Sequence, residues 1–322
     1  MPFGSGKIWM NGTLVDWADA RIHIGSHVIH YGSAVFEGAR CYDTPRGAAC
    51  FRLDDHVVRL LNSGRIYRME SPLDRAGWAE AIETTIRENG LKACYIRPIM
   101  YRGYSALGVN PLPCPVDTAI MVWEWEAYLG PDAQEKGVDV CVSSWNRMAP
   151  NTFPALAKSS ANYANASLIK MEAMLDGYAE GIALDHSGFI SEGSGQNLFL
   201  VRDGVIYTPS VTSSILPGIT RDSVITIARS LGYQVREDML PREMLYLADE
   251  AFFVGTAVEV TPIRSIDKLV VGEGVRGPVT SAIRRTFFDI LNGDVPDTHG
   301  WLTWVYPDEA HLRQKAATAV AR

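Results

Sequence analysis

Lys158 stands in Pro154-Ala155-Leu156-Ala157-Lys158-Ser159-Ser160-Ala161-Asn162-Tyr163, a lone lysine among small and apolar residues where a strand gives way to a helix. A partly desolvated amine in such a place is available to form a Schiff base with an aldehyde. On this segment alone, a surface lysine snorkelling over apolar neighbours is the more ordinary reading. Carbanion chemistry on a pyridinium ring needs an acidic partner at the ring nitrogen. Glu192, in Ile190-Ser191-Glu192-Gly193-Ser194-Gly195-Gln196-Asn197, is a candidate, because small neighbours let backbone approach a ligand closely; the alternative is an ordinary turn glutamate. Leu216-Pro217-Gly218-Ile219-Thr220 offers a phosphate helix N-terminal amides and a hydroxyl, or simply starts a helix. Gly255-Thr256-Ala257, after the strand Phe252-Phe253-Val254, suits a second anion-binding turn, although generic strand-end loops look similar. Arg59, one helical turn after Asp55, either meets a phosphate or forms an i,i+4 salt bridge.

The elements that must position these residues are mixed. Lys7-Ile8-Trp9-Met10 runs into the hairpin turn Asn11-Gly12. Asp54 is the expected N-cap of a helix through Arg68, with Val57, Leu60, Leu61 and Ile66 forming its buried stripe. A second helix is expected over Trp78 to Asn89, ended by Gly90. Strands follow over Cys94 to Tyr101 and Thr118 to Trp125. The Gly and Pro of Tyr128-Leu129-Gly130-Pro131-Asp132 break the pattern, and strand character resumes at Val138 to Val142. A helix is expected from just after Lys158 to Asp176. Strands then follow over Gly181 to Asp185 and Asn197 to Arg202, with Asp203-Gly204 turning into Val205-Ile206-Tyr207. Pro217-Gly218 opens a helix carrying Val224, Ile225 and Ile227. A short helix near Glu243 to Leu247, strands at Ala251 to Val254 and Val258 to Ile263, and a helix from Val279 to Leu291 complete the pattern. The order lacks a regular βαβ rhythm, which predicts an α+β fold: a small domain over 1–129, a linker over 130–137 and a large domain over 138–322. The Ala-rich tail after Pro307 reads as a loosely held helix or disorder.

Composition sets the class. With 322 residues, 47% hydrophobic and 21% charged, the chain reads as an ordinary globular protein. Thirty basic residues, scattered rather than blocked, stand against 37 acidic ones, and the net charge of -7 argues against nucleic-acid binding. No secretory signal and no apolar run long enough to span a bilayer is visible, so the expected location is the cytoplasm. Cys41, Cys50, Cys94, Cys114 and Cys141 form no C-x-x-C pair and are odd in number, which predicts reduced, mostly buried thiols.

The order and wording of several strings add a resemblance. Val142-Ser143-Ser144-Trp145-Asn146-Arg147, Ala157-Lys158, Gly181-Ile182-Ala183-Leu184-Asp185, Ile190-Ser191-Glu192-Gly193, Leu216-Pro217-Gly218-Ile219-Thr220-Arg221 and Gly255-Thr256-Ala257-Val258-Glu259 resemble the branched-chain amino acid aminotransferases, fold type IV enzymes of pyridoxal 5'-phosphate (PLP) with the D-amino acid aminotransferase-like fold. His30-Tyr31-Gly32, Val35-Phe36-Glu37-Gly38 and Gly108-Val109-Asn110-Pro111 extend the likeness to the first half, from about Lys7 to about Val305. Tyr95-Ile96-Arg97 together with Gly255-Thr256-Ala257 argues against the D-amino acid aminotransferases, (R)-amine transaminases and aminodeoxychorismate lyases that share the fold. Retention of Lys158 and Glu192 argues against a silent metabolite-binding relative.

The resemblance implies transamination between L-leucine, L-isoleucine or L-valine and 2-oxoglutarate, giving branched-chain 2-oxo acids and L-glutamate. It implies Lys158 as the Schiff-base lysine and proton shuttle. Glu192 is implied at the pyridine nitrogen and Tyr163 at the phenolic oxygen, with Arg59, Thr220, Thr256 and the Ile219 amide at the phosphate. Tyr95 with the Thr256 and Ala257 amides is implied at the α-carboxylate. Arg97 with Tyr31 and Tyr128 is implied at the distal carboxylate of glutamate, and Phe36, Trp125 and Val109 at the apolar wall. Tyr31 and Val109 are expected to come from a partner subunit, which implies a homodimer, with higher assembly left open. The chain departs from the family's pattern at Ser159-Ser160, at Leu107, and at Glu124 and Glu126, two acids expected near the pocket.

Overall fold

A computed structural model describes residues 4–125, 129 and 132–306. Among these residues the chain builds two sheets. The first runs in the order Leu302–Trp304, Gly47–Phe51, Ala39–Thr44, Cys94–Arg102, Val116–Trp123, Lys7–Met10 and Thr13–Asp16, with Ala34–Phe36 also on Cys94–Arg102. All of its pairings are antiparallel. Asn11 and Gly12, both at positive φ, make the tight turn that joins Met10 to Thr13, as their types predict.

The helices Leu53–Ile66 and Arg75–Glu88 cover the first sheet. Leu60, Trp78, Ile82 and Ile86 from the helices meet Ile96, Met100 and Ile120 from the strands, all essentially without solvent exposure. Both helices start earlier than their sequence signals suggest. The first is capped by Arg52 in the left-handed region rather than by Asp54, because Arg52 is held at its other end. Its guanidinium donates to Asp55, to Asp222 and to the Ile219 carbonyl, and lies over the Trp301 ring. Asp54 pairs instead with Arg75. The second helix is capped by Asp74, whose carboxylate accepts from the Gly77 amide at 2.8 Å.

The second sheet runs Ile190–Gly193, Glu180–Leu184, Val138–Val142, Glu259–Ile266, Glu250–Gly255, Asn197–Arg202, Val205–Pro209 and Gln234–Asp238, with Leu269–Val270 beside Glu259–Ile266. Asn197–Arg202 and Glu250–Gly255 are buried on both faces, which is why their sequences are continuous apolar runs. One face packs Phe199, Phe252 and Val254 under the helices Ile219–Ser230 and Pro278–Asn292, where Val224, Ile283 and Phe287 meet them. The other face carries Leu198, Leu200 and Phe253 toward Leu240 and Leu245.

Leu302–Trp304 returns to the first sheet beside Gly47–Phe51. Gly130, Pro131 and the tail from Pro307 lie outside the described residues, whereas Ala133–Lys136 forms a short helix ended by Gly137. All five cysteines are buried and unpaired. Among the described residues no helix is long and apolar enough to cross a membrane.

Candidate active site

Between the two sheets lies a cavity of about 280 Å³, lined from the first sheet by Phe36, Gly38, Tyr95 and Arg97 and from the second by Glu192, Val254, Gly255 and Thr256. Lys158 enters it at the base of the helix Ser160–Leu175. No regular strand leads into it; the preceding residues form a loop of consecutive turns, tied to Ala34–Phe36 by a single bridge between Val35 and Ser159. The loop is fixed by main-chain bonds. The Lys158 amide donates to Ser63 Oγ at 3.0 Å, its carbonyl accepts from the Phe36 amide at 3.0 Å, and Asn162 Nδ2 donates to the Pro154 and Ala157 carbonyls. The small residues beside Lys158 permit this close docking.

The amine is aimed. Lys158 Nζ donates to the Tyr163 hydroxyl at 2.6 Å, and it sits 5.2 Å from the Phe36 ring centre. Phe36 and Tyr163 meet edge to face at 4.8 Å, which holds the hydroxyl in place.

Glu192 lies on Ile190–Gly193 and is buried. Arg147 Nη2 reaches its Oε1 at 2.9 Å, while the Leu216 amide and Asn197 Nδ2 donate to Oε2 at 3.0 and 3.2 Å. Burial pushes its carboxyl above the ordinary range, against the pull of the Arg147 charge, the Leu216 amide and the Lys158 charge. A carboxyl in this balance can share a proton with a heterocyclic nitrogen.

Arg59 does not pair with Asp55, which Arg52 occupies. Its Nε and Nη2 grip Glu37 at 2.6 and 2.8 Å, and Nη1 donates to the Pro217 carbonyl at 3.0 Å. His56 Nδ1 donates to the same carboxylate at 2.8 Å. Burial disfavours the Glu37 charge, but Arg59 and His56 outweigh it and hold the carboxyl far below its ordinary range. Arg59 is thereby fixed against the start of the helix Ile219–Ser230. That start has no side-chain cap, so its first amides remain donors for an anion. Gly218, Ile219 and Thr220 all line the cavity. A Cβ at Gly218 would lie 2.0 Å from Asn197 Oδ1, so a larger residue there would displace the side chain that donates to Glu192.

On the opposite wall, the Arg97 guanidinium stacks over Phe36 at 4.8 Å, Tyr95 at 5.4 Å and Trp123 at 5.8 Å. Its Nε is buried without a partner among the described residues, a donor held ready for an acceptor. Tyr95 meets Trp125 edge to face at 4.4 Å.

Lys158, Tyr163, Glu192, Arg59, Ile219, Thr220, Thr256, Ala257, Tyr95, Arg97, Phe36 and Trp125 thus share one cavity. Tyr31 and Val109 do not: they are 43% and 85% exposed and line none of it. Tyr128 and Glu126 lie outside the described residues. Glu124 is exposed and is not among the lining residues, although its neighbour Trp125 is. Sequence reasoning gave no role to Arg147, Glu37, His56 or Asn197. The one available signal was a charged or amide residue at a buried position between apolar neighbours, as in Phe36-Glu37-Gly38.

These features fit PLP: an uncapped helix start beside a fixed arginine for phosphate, a buried carboxyl for a pyridine nitrogen, and an amine between walls of aromatic rings. The comparisons agree. Residues 34–266 match the family described as amino-transferase class IV. The branched-chain-amino-acid aminotransferase of Escherichia coli (strain K12) is 51% identical over 299 residues, covering 92% of this chain and 97% of that one. A crystal structure of the E. coli branched-chain amino acid aminotransferase superposes with a TM-score of 0.93 at 50% identity, covering 94% and 100% of the two chains. The branched-chain amino acid aminotransferase from Thermobaculum terrenum, solved in its PLP form, gives 0.88 at 32% identity, covering 95% and 100%. From the cavity's residues and from these likenesses together, the chain belongs to the class IV aminotransferases, within the branched-chain-amino-acid aminotransferase group.

Proposed function

We propose that the chain transfers the amino group of L-leucine, L-isoleucine or L-valine to 2-oxoglutarate, with PLP held at Lys158. The observation that carries this reading is the Lys158 amine, 2.6 Å from the Tyr163 hydroxyl, in the same cavity as the buried Glu192 and the uncapped helix start at Ile219. When bound, PLP supplies an electrophilic carbonyl and a protonated ring that stabilises negative charge at the substrate's α carbon.

The chain's own groups do the rest. Lys158 Nζ would take the proton from the substrate's α carbon and pass it to the cofactor's C4' carbon, with the reverse transfer for the 2-oxo acid, as a positioned general base and acid. Tyr163 holds Nζ in line. Glu192, steadied by Arg147, keeps the proton at the ring nitrogen. Arg59, Thr220, Thr256 and the Ile219 amide take the phosphate charge. Tyr95 and the amides of Thr256 and Ala257 hold the α-carboxylate. Phe36 and Trp125 give an aliphatic side chain an apolar wall. Arg97, stacked over Phe36 in that wall, serves the distal carboxylate of glutamate together with Tyr128, so one pocket alternately accepts both side chains.

Tyr31 and Val109 complete this pocket in a second copy, which makes the working unit a homodimer. Their exposure, alongside Ile24, Ile29, Leu107 and Leu112, supports that reading. A small unit over 1–129, a linker over 130–137 and a large unit over 138–322 are the division we propose, with Leu302–Trp304 of the large unit returning to the sheet of the small one, and the enzyme works in the cytoplasm. A panel of amino donors against 2-oxoglutarate tests the proposal. Turnover of the three branched-chain L-amino acids is expected; inactivity with all three combined with turnover of D-alanine would overturn it.

A further inference from the structure

The turn that carries Thr256 and Ala257 ends on a residue of unexpected type. Gly255 pairs with Glu259 at the close of an antiparallel hairpin, leaving the three-residue loop Thr256-Ala257-Val258. The residue that follows this loop is left-handed, a conformation that glycine takes without steric cost. Here the residue is Glu259, at φ 55 and buried. Its side chain must therefore contribute something that glycine would not.

The contribution is a bond across the cleft. Glu259 Oε1 accepts from Arg40 Nη1 at 2.8 Å, with the side chains only 7% and 13% exposed. Gln134 Nε2 donates to Oε2, and Gln134 Oε1 accepts in turn from Arg284 Nη2 at 2.7 Å. Arg40 stands on Ala39–Thr44 directly opposite Tyr95 in the register of the first sheet. Neither Arg40 nor Glu259 lines the main cavity. The ion pair thus ties the hairpin of Thr256 and Ala257 in one sheet to the strand pairing of Tyr95 in the other.

We infer that Arg40 and Glu259 are positioning residues, whose buried ion pair fixes the span between Tyr95 and the Thr256 and Ala257 amides and so shapes the α-carboxylate subsite. The inference rests on the assignment of those three residues to the α-carboxylate. That group is common to every amino acid and 2-oxo acid substrate. Loss of the pair therefore weakens all of them in parallel, unlike a defect at the distal end of the pocket.

Two variants of the cofactor-loaded enzyme test it. Glu259→Gly removes the carboxylate while suiting the left-handed backbone, and Arg40→Met removes the cation while keeping an apolar stem. With leucine, glutamate and 2-oxoglutarate, each variant is expected to raise KM roughly 10-fold, the scale of one charge-assisted hydrogen bond. The visible absorption of the bound cofactor is expected to stay unchanged and kcat to fall far less than KM rises. Arg40→Lys is expected to recover part of the loss, and the double variant to be no worse than the worse single one. Unchanged KM in both single variants, or a rise confined to the dicarboxylic substrates, would overturn the proposal. Tyr95→Phe separates the two levels. If it raises KM for all substrates while the Arg40 and Glu259 variants do not, the positioning role alone falls; if it leaves KM unchanged, the carboxylate assignment falls and the positioning role with it.

Discussion

Gly38→Ala is the most exacting perturbation of the substrate wall. A Cβ at position 38 would lie 1.9 Å from the Tyr95 hydroxyl and 2.8 Å from Tyr95 Cζ, and ordinary contact begins at 3.4 Å. The hydroxyl must therefore retreat by about 1.5 Å, more than any hydrogen bond tolerates. The ring has little room to turn, since Trp125 and Trp123 stand 4.4 and 5.1 Å from it. Losing a hydrogen bond to a charged carboxylate costs about 1.5–3 kcal/mol, or roughly 10- to 150-fold in kcat/KM. Overpacking the site is expected to lower stability by about 1–3 kcal/mol as well. The assay is a double-mutant cycle in steady-state kinetics with leucine, using Gly38→Ala, Tyr95→Phe and the pair. Phenylalanine removes the atom at 1.9 Å but leaves Cζ at 2.8 Å, so alanine is expected to do less harm in that background than in the parent. Activity of Gly38→Ala within about 2-fold of the parent, or two losses that add in full, would show that the alanine does not act through the Tyr95 hydroxyl.

Two further outcomes follow from buried charges. Glu37 has its folded pKa depressed below the ordinary 4.5, as Arg59 and His56 outweigh its burial. Its stabilisation is thus present above pH 4.5 and is lost as pH falls below that value. Glu37→Gln is expected to cost about 3–5 kcal/mol in denaturant unfolding at about pH 7, with the gap to the parent narrowing in acid; a gap independent of pH would contradict the pairing. Arg97→Ala is expected to lower kcat/KM for glutamate and 2-oxoglutarate on the order of 100-fold while leucine suffers much less, and equal losses would reject its role at the distal carboxylate.

The features readable from sequence were those with local causes. The hairpin turns at Asn11-Gly12 and Asp203-Gly204, the helix opened by Pro217-Gly218 and the buried strand Asn197–Arg202 follow from turn chemistry and apolar runs, and all are present. What was missed depends on partners far apart in the chain. Local spacing offered Arg59 a partner in Asp55, but the stronger claim belongs to Glu37, a carboxylate buried beyond the reach of solvent. The cap at Arg52 was hidden for the same reason, because its side chain is anchored on the helix Ile219–Ser230. Periodicity could not announce that Leu302–Trp304 would return to the first sheet. Glu259 reads as one more strand residue until its left-handed backbone and Arg40 are seen together.

Everything proposed for this cavity depends on Lys158 as the residue that carries the cofactor. Borohydride reduction of the PLP-loaded enzyme, followed by peptide mass spectrometry, tests it most directly. A phosphopyridoxyl mass is expected on Lys158 alone and is expected to be lost in Lys158→Ala; the same mass on another lysine, or its persistence in that variant, would overturn the assignment.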